Sequence, residues 1–231
     1  MMRELIENSA FLGVVITIGS FELGRAIRKK WNFALFNPLL LAILFSIGVL
    51  LLFRIDYGSY LNGAKYINFL LTPATVCLAI PLYKQLELLK RNLTAVATAI
   101  TAGVIGSVVS VYVMSMIFKL EHVHYVSLLP KSITTAIGMG VSEEAGGIVT
   151  MTIVSIIITG ILGNIVADGW FKLIGIKEPI AKGLALGTSA HAIGTAKALE
   201  LGEVEGAMSS LSIAVAGLMT VVSVPIMSGL I

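Results

Sequence analysis

Long runs of apolar residues without a charge alternate along the chain with short segments that carry Lys, Arg, Asp and Glu. Five runs reach the roughly 18 residues at which a helix can cross the hydrocarbon core of a bilayer. These runs are residues 33–53, 66–83, 92–118, 148–167 and 206–231. A shorter run, residues 9–21, predicts a sixth helix, after which Arg25 can balance the charge of Glu22. The pattern predicts an all-α, polytopic membrane protein with about six full spans.

Two further segments have the length of a span but an unusual composition. Residues 183–199 consist mostly of Gly, Ala, Ser and Thr, and they contain His191 and Lys197. Residues 125–142 contain Pro130 together with several Thr and Gly residues. Inside a membrane, the N–H and C=O groups of irregular backbone must form hydrogen bonds with other parts of the protein or with water in a cavity. The two segments therefore predict re-entrant or broken helical hairpins beside a cavity.

The distribution of Lys and Arg distinguishes a re-entrant hairpin at 125–142 from a full crossing, because cytoplasmic loops collect these residues. With a full crossing, the 14 loop and terminal cations divide seven against seven between the two faces. With a hairpin that leaves on the face where it enters, they divide ten inside against four outside. The count favours the hairpin and an N-terminus outside.

An internal repeat favours the same topology. A shift of 56 residues places 131–138 on 187–194, and an uncharged helix follows each copy. The identical residues are Ala136, Ile137, Gly138, Glu144 and Gly146, which meet Ala192, Ile193, Gly194, Glu200 and Gly202. Segments rich in Ala and Gly can also match by chance. As a repeat, 125–174 and 180–231 would enter the membrane from opposite faces, the inverted arrangement of transporter-like folds.

Two prolines lie inside the run 66–83. Proline removes a backbone hydrogen bond and clashes with the preceding turn, so Pro73 and Pro81 predict breaks in a kinked helix. A hydrated cavity beside that helix and an ordinary structural kink are both compatible with the sequence.

Composition narrows the functional class. The chain of 231 residues is 57% hydrophobic and 13% charged, has a net charge of +3, and shows a mean hydropathy of +0.96. Nothing indicates a soluble domain that could bind nucleic acid. Cys77 is the one cysteine, so neither an intramolecular disulfide nor a thiolate metal site is expected, and the first residues do not resemble a cleaved signal peptide. No enzyme, metal or cofactor motif is found, so neither catalytic residues nor cofactors are predicted.

Residues of the two hairpins could bind an anion. Hairpin tips that meet in the membrane would present backbone N–H groups and hydroxyls, which can donate to a carboxylate. The hydroxyl candidates are Ser132, Thr134, Thr135, Thr188, Ser189 and Thr195. Small residues can instead serve close helix packing, as in Gly183-x-x-x-Gly187.

Three ionisable residues complete the predicted substrate site. His191 lies at the centre of its hairpin and titrates near neutral pH, so it could bind a carboxylate when charged, or it could be a neutral ring that donates to a backbone carbonyl. Lys131 and Lys197 offer positive charge. Either lysine could instead extend to the interface, and Lys197 could pair with Glu200 three residues later.

The carboxylates are weaker candidates. Glu143 and Glu144 precede one helix, and Glu203 and Glu205 another, where acidic residues complement the helix dipole. Glu144, Asn164 and Asp168 are candidate ligands of a coupling ion, H⁺ or Na⁺. Asn164 and Asp168 could equally be interfacial residues at a helix end.

Three stretches of this chain strongly resemble the LrgB/CidB family of membrane proteins. They are Leu129-Pro-Lys-Ser-Ile-Thr-Thr135, residues 176–183, and residues 187–208, which begin Gly-Thr-Ser-Ala-His-Ala-Ile-Gly. The resemblance covers essentially the entire chain. This sequence departs from the family pattern at Ala136, where relatives tend to have proline, and at Lys197, where arginine is frequent.

The resemblance implies antiholin-like control of murein hydrolases and lysis, with a separate holin-like partner of the LrgA/CidA type. A plant relative is a plastid glycolate/glycerate translocator, and bacterial members are linked to pyruvate and related short acids. Combined with the hairpins and their hydroxyls, this favours a secondary carrier of small monocarboxylates, such as glycolate, glycerate, lactate or pyruvate, in the cell membrane. The alternatives are an antiholin-like regulator that transports nothing, and a passive channel.

The expected organisation has two parts. Residues 1–124 form a scaffold of four helices, and 125–231 form the moving transport core. The expected partners are the lipid bilayer, the carboxylate, the LrgA/CidA-like protein and a second copy of the chain in a homodimer. His191 and Thr135 are expected at equivalent positions of the two repeats.

Overall fold

The computed structural model describes residues 11–31 and 36–231, which contain helices and no strand. Contacts divide them into two compact units, one up to Cys77 and one from Leu78 to Ile231. The helices of the first unit are α1 Leu12–Trp31, α2 Pro38–Phe53, α3 Tyr57–Phe69 and α4 Leu71–Cys77. Those of the second are α5 Ala79–Lys84, α6 Leu86–Arg91, α7 Leu93–Phe118, α8 His122–Leu128, α9 Thr135–Glu144, α10 Val149–Leu173, α11 Pro179–Leu201 and α12 Glu203–Ser228.

Three of the predicted spans are confirmed among the described residues. By length and composition, α7, α10 and α12 can each cross a membrane, whereas the apolar helix α2 has only 16 residues. The count of six spans stays a prediction. Residues 1–10 and 32–35, which include the starts of the first two predicted spans, lie outside the described residues.

The first unit differs from the sequence prediction at two places. Helix α1 continues past Phe21 to Trp31, so the cations that we assigned to the first loop lie on a helix. The turn expected at Asp56 is a helix start, because the Asp56 carboxylate accepts from the Ser59 N–H at 3.2 Å and caps α3. Both segments lack the consecutive apolar residues that made the other helices evident.

The run 66–83 is divided among three helices, whereas the sequence predicted one kinked helix. Helix α3 ends at Phe69, and the breaks fall at Leu70 and Leu78. Pro73 and Pro81 therefore lie in the first turns of the short helices α4 and α5, where a missing N–H costs least. The predicted helix breaks are present, and the hydrated cavity beside them stays a prediction.

Residues 122–144 fold back on themselves. Thr152 Oγ1 lies 2.8 Å from the carbonyl oxygen of Ser127 and 2.6 Å from the hydroxyl oxygen of Ser142. In a straight helix, Ser127 and Ser142 would be roughly 22 Å apart. Helices α8 and α9 therefore form a hairpin, here named hairpin 1, whose tip is residues 129–134.

Residues 179–201 also fold back. The continuous helix α11 is interrupted at His191, whose φ is 44° and ψ is −134°. A Cβ on Gly194 would collide with the carbonyl oxygen of Leu186, eight residues earlier and about 12 Å away in a straight helix. Leu186 and Ala198 also share one buried cluster. This hairpin 2 consists of a first arm, 179–190, and a second arm, 192–201.

The hairpins have their bases at opposite ends of α12. At its C-terminal end, Ile231 O lies 2.6 Å from His122 Nδ1, and Met227 O accepts from the Tyr125 hydroxyl at 2.8 Å. At its N-terminal end, the Glu205 carbonyl contacts Gly183 of hairpin 2. Since α12 has 26 residues, these ends are about 39 Å apart.

Helix α7 runs parallel to α12. Thr101 Oγ1 lies 4.0 Å from Met219 Sδ, and the Tyr112 ring lies 6.2 Å from that of Tyr125, which bonds Met227. The N-terminal end of α7 is therefore at the base of hairpin 2. Apolar residues about four apart turn one face of α7 into the core, and these are Val96, Ile100, Val104, Val108 and Val111.

The compact units do not coincide with the predicted scaffold and core, because α7 packs against α11 and α12. The boundary expected at residue 124 concerns which helices move, and it stays a prediction.

Equivalent contacts accompany the internal repeat. Helices α7 and α10 begin at Leu93 and Val149, 56 residues apart. Gly138 faces the Pro130 carbonyl in hairpin 1, as Gly194 faces the Leu186 carbonyl in hairpin 2, and each pair is related by the same shift. The pseudo-two-fold axis and the equivalence of His191 and Thr135 across it stay predictions.

Candidate functional site

His191 forms the turn of hairpin 2. Its positive φ with ψ of −134° lies outside the ordinary regions for L-residues, and such strain costs about 1–3 kcal/mol. The ring is 3% exposed, and its Nε2 lies 3.0 Å from the Ile156 carbonyl oxygen on α10. A contact with a backbone carbonyl was the alternative to anion binding that the sequence left open. That contact is present, and anion binding by His191 stays a prediction.

Helix α10 is shaped to receive the turn. A Cβ on Gly160 would lie 2.8 Å from His191 Cε1, and one on Gly163 would lie 2.6 Å from Ala190 Cβ. One position further along, the Asn164 amide donates to the Ile193 carbonyl at 3.2 Å. The two glycines thus allow the approach, and Asn164 satisfies a carbonyl near the break.

Lys197 and Asp168, assigned separately from the sequence, form an ion pair with each other. Lys197 Nζ lies 2.8 Å from Asp168 Oδ2 and 3.8 Å from Glu200 Oε2. The Lys197 side chain is 9% exposed and that of Asp168 is 50% exposed. The pair joins the second arm of hairpin 2 to α10, and the Glu200 contact anticipated from spacing is the longer one.

Thr195 is bound within the hairpin assembly. Its hydroxyl donates to the His191 carbonyl at 3.0 Å and lies 2.7 Å from the Ser209 hydroxyl on α12. Thr195, like His191 and Lys197, does not line the cavity described next.

A cavity of about 1010 Å³ lies between α7, α10 and the first arm of hairpin 2. Small and apolar residues form most of its wall, and among the residues that the structure describes Lys131 is the one basic residue of the lining. Four of the predicted substrate-binding residues line it, and these are Lys131, Ser132, Thr188 and Ser189. Thr134 and Thr135 do not line this cavity, although Thr134 is the last residue of the hairpin 1 tip and Thr135 is the first residue of α9.

The hydroxyls of two serines surround the Lys131 ammonium. Lys131 Nζ lies 3.1 Å from Ser132 Oγ and 3.4 Å from Ser107 Oγ, and the Ser107 hydroxyl donates to Ser132 at 2.9 Å. No described acidic side chain pairs with Lys131. An uncompensated ammonium inside a membrane is costly and usually marks a functional position.

Thr188 brings hairpin 2 to the same region. Its Cγ2 would lie 2.5 Å from a Cβ on Gly103, one turn of α7 before Ser107. Among the described residues, Thr188 Oγ1 and Ser115 Oγ are the buried side-chain oxygens without a hydrogen-bond partner. An unmade bond of this kind costs roughly 1–3 kcal/mol, and the buried Thr188 oxygen would reach a ligand in the cavity once the side chain rotates.

Ser107 and Ser110 also line the cavity, and the sequence analysis did not select them. They lie in an uncharged span, where isolated serines commonly bond to the preceding turn, as Ser110 does to the Ser107 carbonyl at 2.7 Å. The available signal was their spacing from Gly103 and Gly106, which places small residues along one face of α7.

The candidate ion ligands do not come together. Asn164 and Asp168 lie one turn apart on α10 and contact hairpin 2. Glu144, like Glu143, precedes α10, and both lie exposed in the last turn of α9. Helix α9 ends there because Gly146 adopts a φ of 76°. Glu203 and Glu205 occupy the first turn of α12, as expected.

Spanning helices, two fold-back hairpins and a cavity with an uncompensated lysine define a polytopic helical membrane protein. The model of the LrgB-like family matches residues 17–230, and the chain belongs to this family.

Named relatives extend along almost the entire chain. It is 39% identical over 224 residues to antiholin-like protein LrgB of Bacillus subtilis (strain 168), covering 96% of this chain and 97% of that protein. Holin-like protein CidB of Staphylococcus epidermidis (strain ATCC 12228 / FDA PCI 1200) is 38% identical over 226 residues, covering 98% of each chain. Antiholin-like protein LrgB of Bacillus mycoides (strain KBAB4) is 39% identical over 216 residues, covering 93% of this chain and 94% of that protein. No solved structure matches.

Proposed function

We propose that this chain is an antiholin-like membrane protein that regulates murein hydrolase export and lysis through a holin-like partner. The relatives' names support this function better than they support the carrier expected first, since they are antiholin-like protein LrgB and holin-like protein CidB. The partner is of the LrgA/CidA type, as the family resemblance implies. The cell membrane, an N-terminus outside, a homodimer and a non-enzymatic role belong to the same proposal.

Association with the partner tests the antiholin-like function. A tagged chain should copurify an LrgA-like subunit expressed from the same cells, and its expression should change the rate of lysis after a cell-wall antibiotic. Absence of both effects would contradict the proposal. Gly183, a natural choice for disrupting a partner surface, is unsuitable because it packs against the Glu205 carbonyl within this chain.

A second function, carriage of small monocarboxylates, is favoured by one observation. Tips of two hairpins with bases at opposite ends of α12 flank one cavity, where Lys131 meets hydroxyls. Opposed broken helices around a midplane site are the arrangement of secondary transporters. The proposal includes six spans, an inverted repeat, and movement of the hairpins against the remaining helices, with H⁺ or Na⁺ as the coupling ion.

Uptake measurements separate the two functions. Proteoliposomes should accumulate labelled glycolate, lactate or pyruvate in a saturable way, and a pH gradient should alter the rate if protons couple. A passive channel would show neither saturation nor counterflow. If no acid is taken up with or without an LrgA-like subunit, the carrier function is wrong and the antiholin-like function is unaffected.

A further inference from the structure

The cavity is elongated along α7. Its lining runs from Asn92, just before the first residue of α7, to Ser110, a distance of about 27 Å along the helix axis. On hairpin 2 the lining runs from Glu178 at the base to Ser189, two residues before the turn. The cavity therefore extends from one end of the helical unit to the tips of both hairpins.

The two ends of this cavity differ in chemistry. At the hairpin tips, Lys131 donates to Ser132 and Ser107. One turn before Ser107, Gly103 faces the methyl group of Thr188, whose hydroxyl oxygen would lie 3.7 Å from a Cβ on Gly103 and has no hydrogen-bond partner among the described residues. At the base of hairpin 2, Asn92 and Glu178 form the wall. The positive charge and the free hydroxyl thus lie at the tip end, which we name the lysine end.

The lysine end matches an anion with a single charge. Lys131 supplies one positive charge, and no other basic residue among those that the structure describes lines the cavity. Within the same part of the chain, the Thr188 hydroxyl has no acceptor that competes for its proton. One ammonium balances one carboxylate in a medium of low dielectric constant, whereas the second charge of a dianion would stay unpaired.

The opposite end of the cavity lies at the cation-rich end of the unit. Because α7 is parallel to α12, the segments 84–91 and 172–182 are at the same end. They carry Lys84, Lys90, Arg91, Lys172, Lys177 and Lys182, whereas residues 119–124 at the other end carry only Lys119 among Lys and Arg. Such an imbalance identifies the cation-rich end as cytoplasmic.

We infer that the cavity is a half-channel open to the cytoplasmic face, ending at a monocarboxylate-binding site formed by Lys131, Ser132, Ser107 and Thr188. This rests on the carrier function for the class of ligand, and it adds the binding residues and the side of access. Thr188 closes the site from hairpin 2, and the other three residues approach it from α7 and hairpin 1.

Cysteine modification tests the site and its access. Cys77→Ser removes the native thiol, and Ser110→Cys then places a thiol in the lining near the lysine end. Anionic and cationic methanethiosulfonates of equal size are applied to one face of oriented vesicles at a time. Val109→Cys, on an exposed position of the same helix outside the lining, is the matched control.

The expected result has three parts. Ser110→Cys reacts from the cytoplasmic face only, and the rate of the anionic reagent relative to the cationic one is at least about tenfold higher than with a free thiol in solution, whereas Val109→Cys, which faces lipid, does not react. Lys131→Met abolishes this preference, whereas Lys172→Met, at an exposed cation of the same face, preserves it. Lactate slows the anionic reagent in the presence of Lys131, and sulfate at equal concentration does not.

Three outcomes would overturn the inference. They are reaction from the outer face, an anion preference that survives Lys131→Met, and protection by sulfate equal to that by lactate. Ala99→Cys, farther from the lysine end in the same lining, serves if Ser110→Cys fails to fold. Lactate uptake that survives Lys131→Met would refute this site and leave the carrier function standing, whereas Lys131-dependent modification without uptake would refute only the carrier function.

Discussion

At the scale of single residues, His191 combines a strained backbone with a buried hydrogen bond. Its φ of 44° is accommodated because the ring bonds the Ile156 carbonyl and packs over Gly160. A residue with a Cβ bears this strain, whereas glycine does not. The side chain and the backbone at position 191 can therefore be separated by substitution.

Replacing His191 by alanine and by glycine should give different stabilities. Both variants lose the bond to Ile156, which is worth about 1 kcal/mol. Only His191→Ala retains the strain of about 1–3 kcal/mol, and this outweighs the extra unfolded-state entropy of glycine, about 0.5–1 kcal/mol. In thermal unfolding in detergent, His191→Gly should melt above His191→Ala, and the reverse order would show that the turn is unstrained.

At the scale of elements, hairpin 2 is held against α10 by close contact and by an ion pair. Gly163 receives Ala190, and Asp168 pairs with Lys197 of the second arm. These contacts join α10 to the first and to the second arm of the hairpin, at Ala190 and Lys197. Each can be removed independently.

Gly163→Ala should destabilise the packed hairpin. The added methyl would lie 2.6 Å from Ala190 Cβ, and overpacking of this kind costs typically about 1–3 kcal/mol. Gly169→Ala on the same helix is the control, because nothing lies within 4 Å of its Cβ position and alanine favours the helix by up to about 1 kcal/mol. Equal melting temperatures for the two variants would contradict the close packing.

The ion pair between Lys197 and Asp168 should respond asymmetrically to mutation. Asp168→Asn leaves an ammonium that is 9% exposed with only the longer Glu200 contact, whereas Lys197→Met leaves a carboxylate that is 50% exposed and can be hydrated. Asp168→Asn should therefore destabilise more, by about 1–3 kcal/mol, than Lys197→Met. Unfolding of the two single variants in detergent measures this difference, and identical losses would mean that Lys197 is hydrated.

At the scale of the whole molecule, apolar periodicity and small-residue content predicted the long helices and the segments that fold back. Which side chains of different helices contact one another was not predictable in this way. Spacing along the chain offers Lys197 only Glu200 as a partner, while Asp168, the closer carboxylate, lies on another helix. Likewise, Ser107 enters the site through its contact with Ser132, 25 residues later, and the spacing of small residues along α7 does not show that contact. Long-range contacts determine the site, whereas local pattern determines the elements.

The central claim is that both hairpins return to the face where they began, from opposite faces of the membrane. It is tested by placing single cysteines in the Cys77→Ser protein at Glu121 and Glu144, which flank hairpin 1, and at Glu178 and Glu203, which flank hairpin 2, all exposed. Labelling uses a membrane-impermeant maleimide on vesicles of known orientation. Positions 121 and 144 should label from the outer face, and 178 and 203 from the cytoplasmic face. Labelling of 121 and 144 from opposite faces would mean that residues 125–142 cross the membrane, and it would contradict this account.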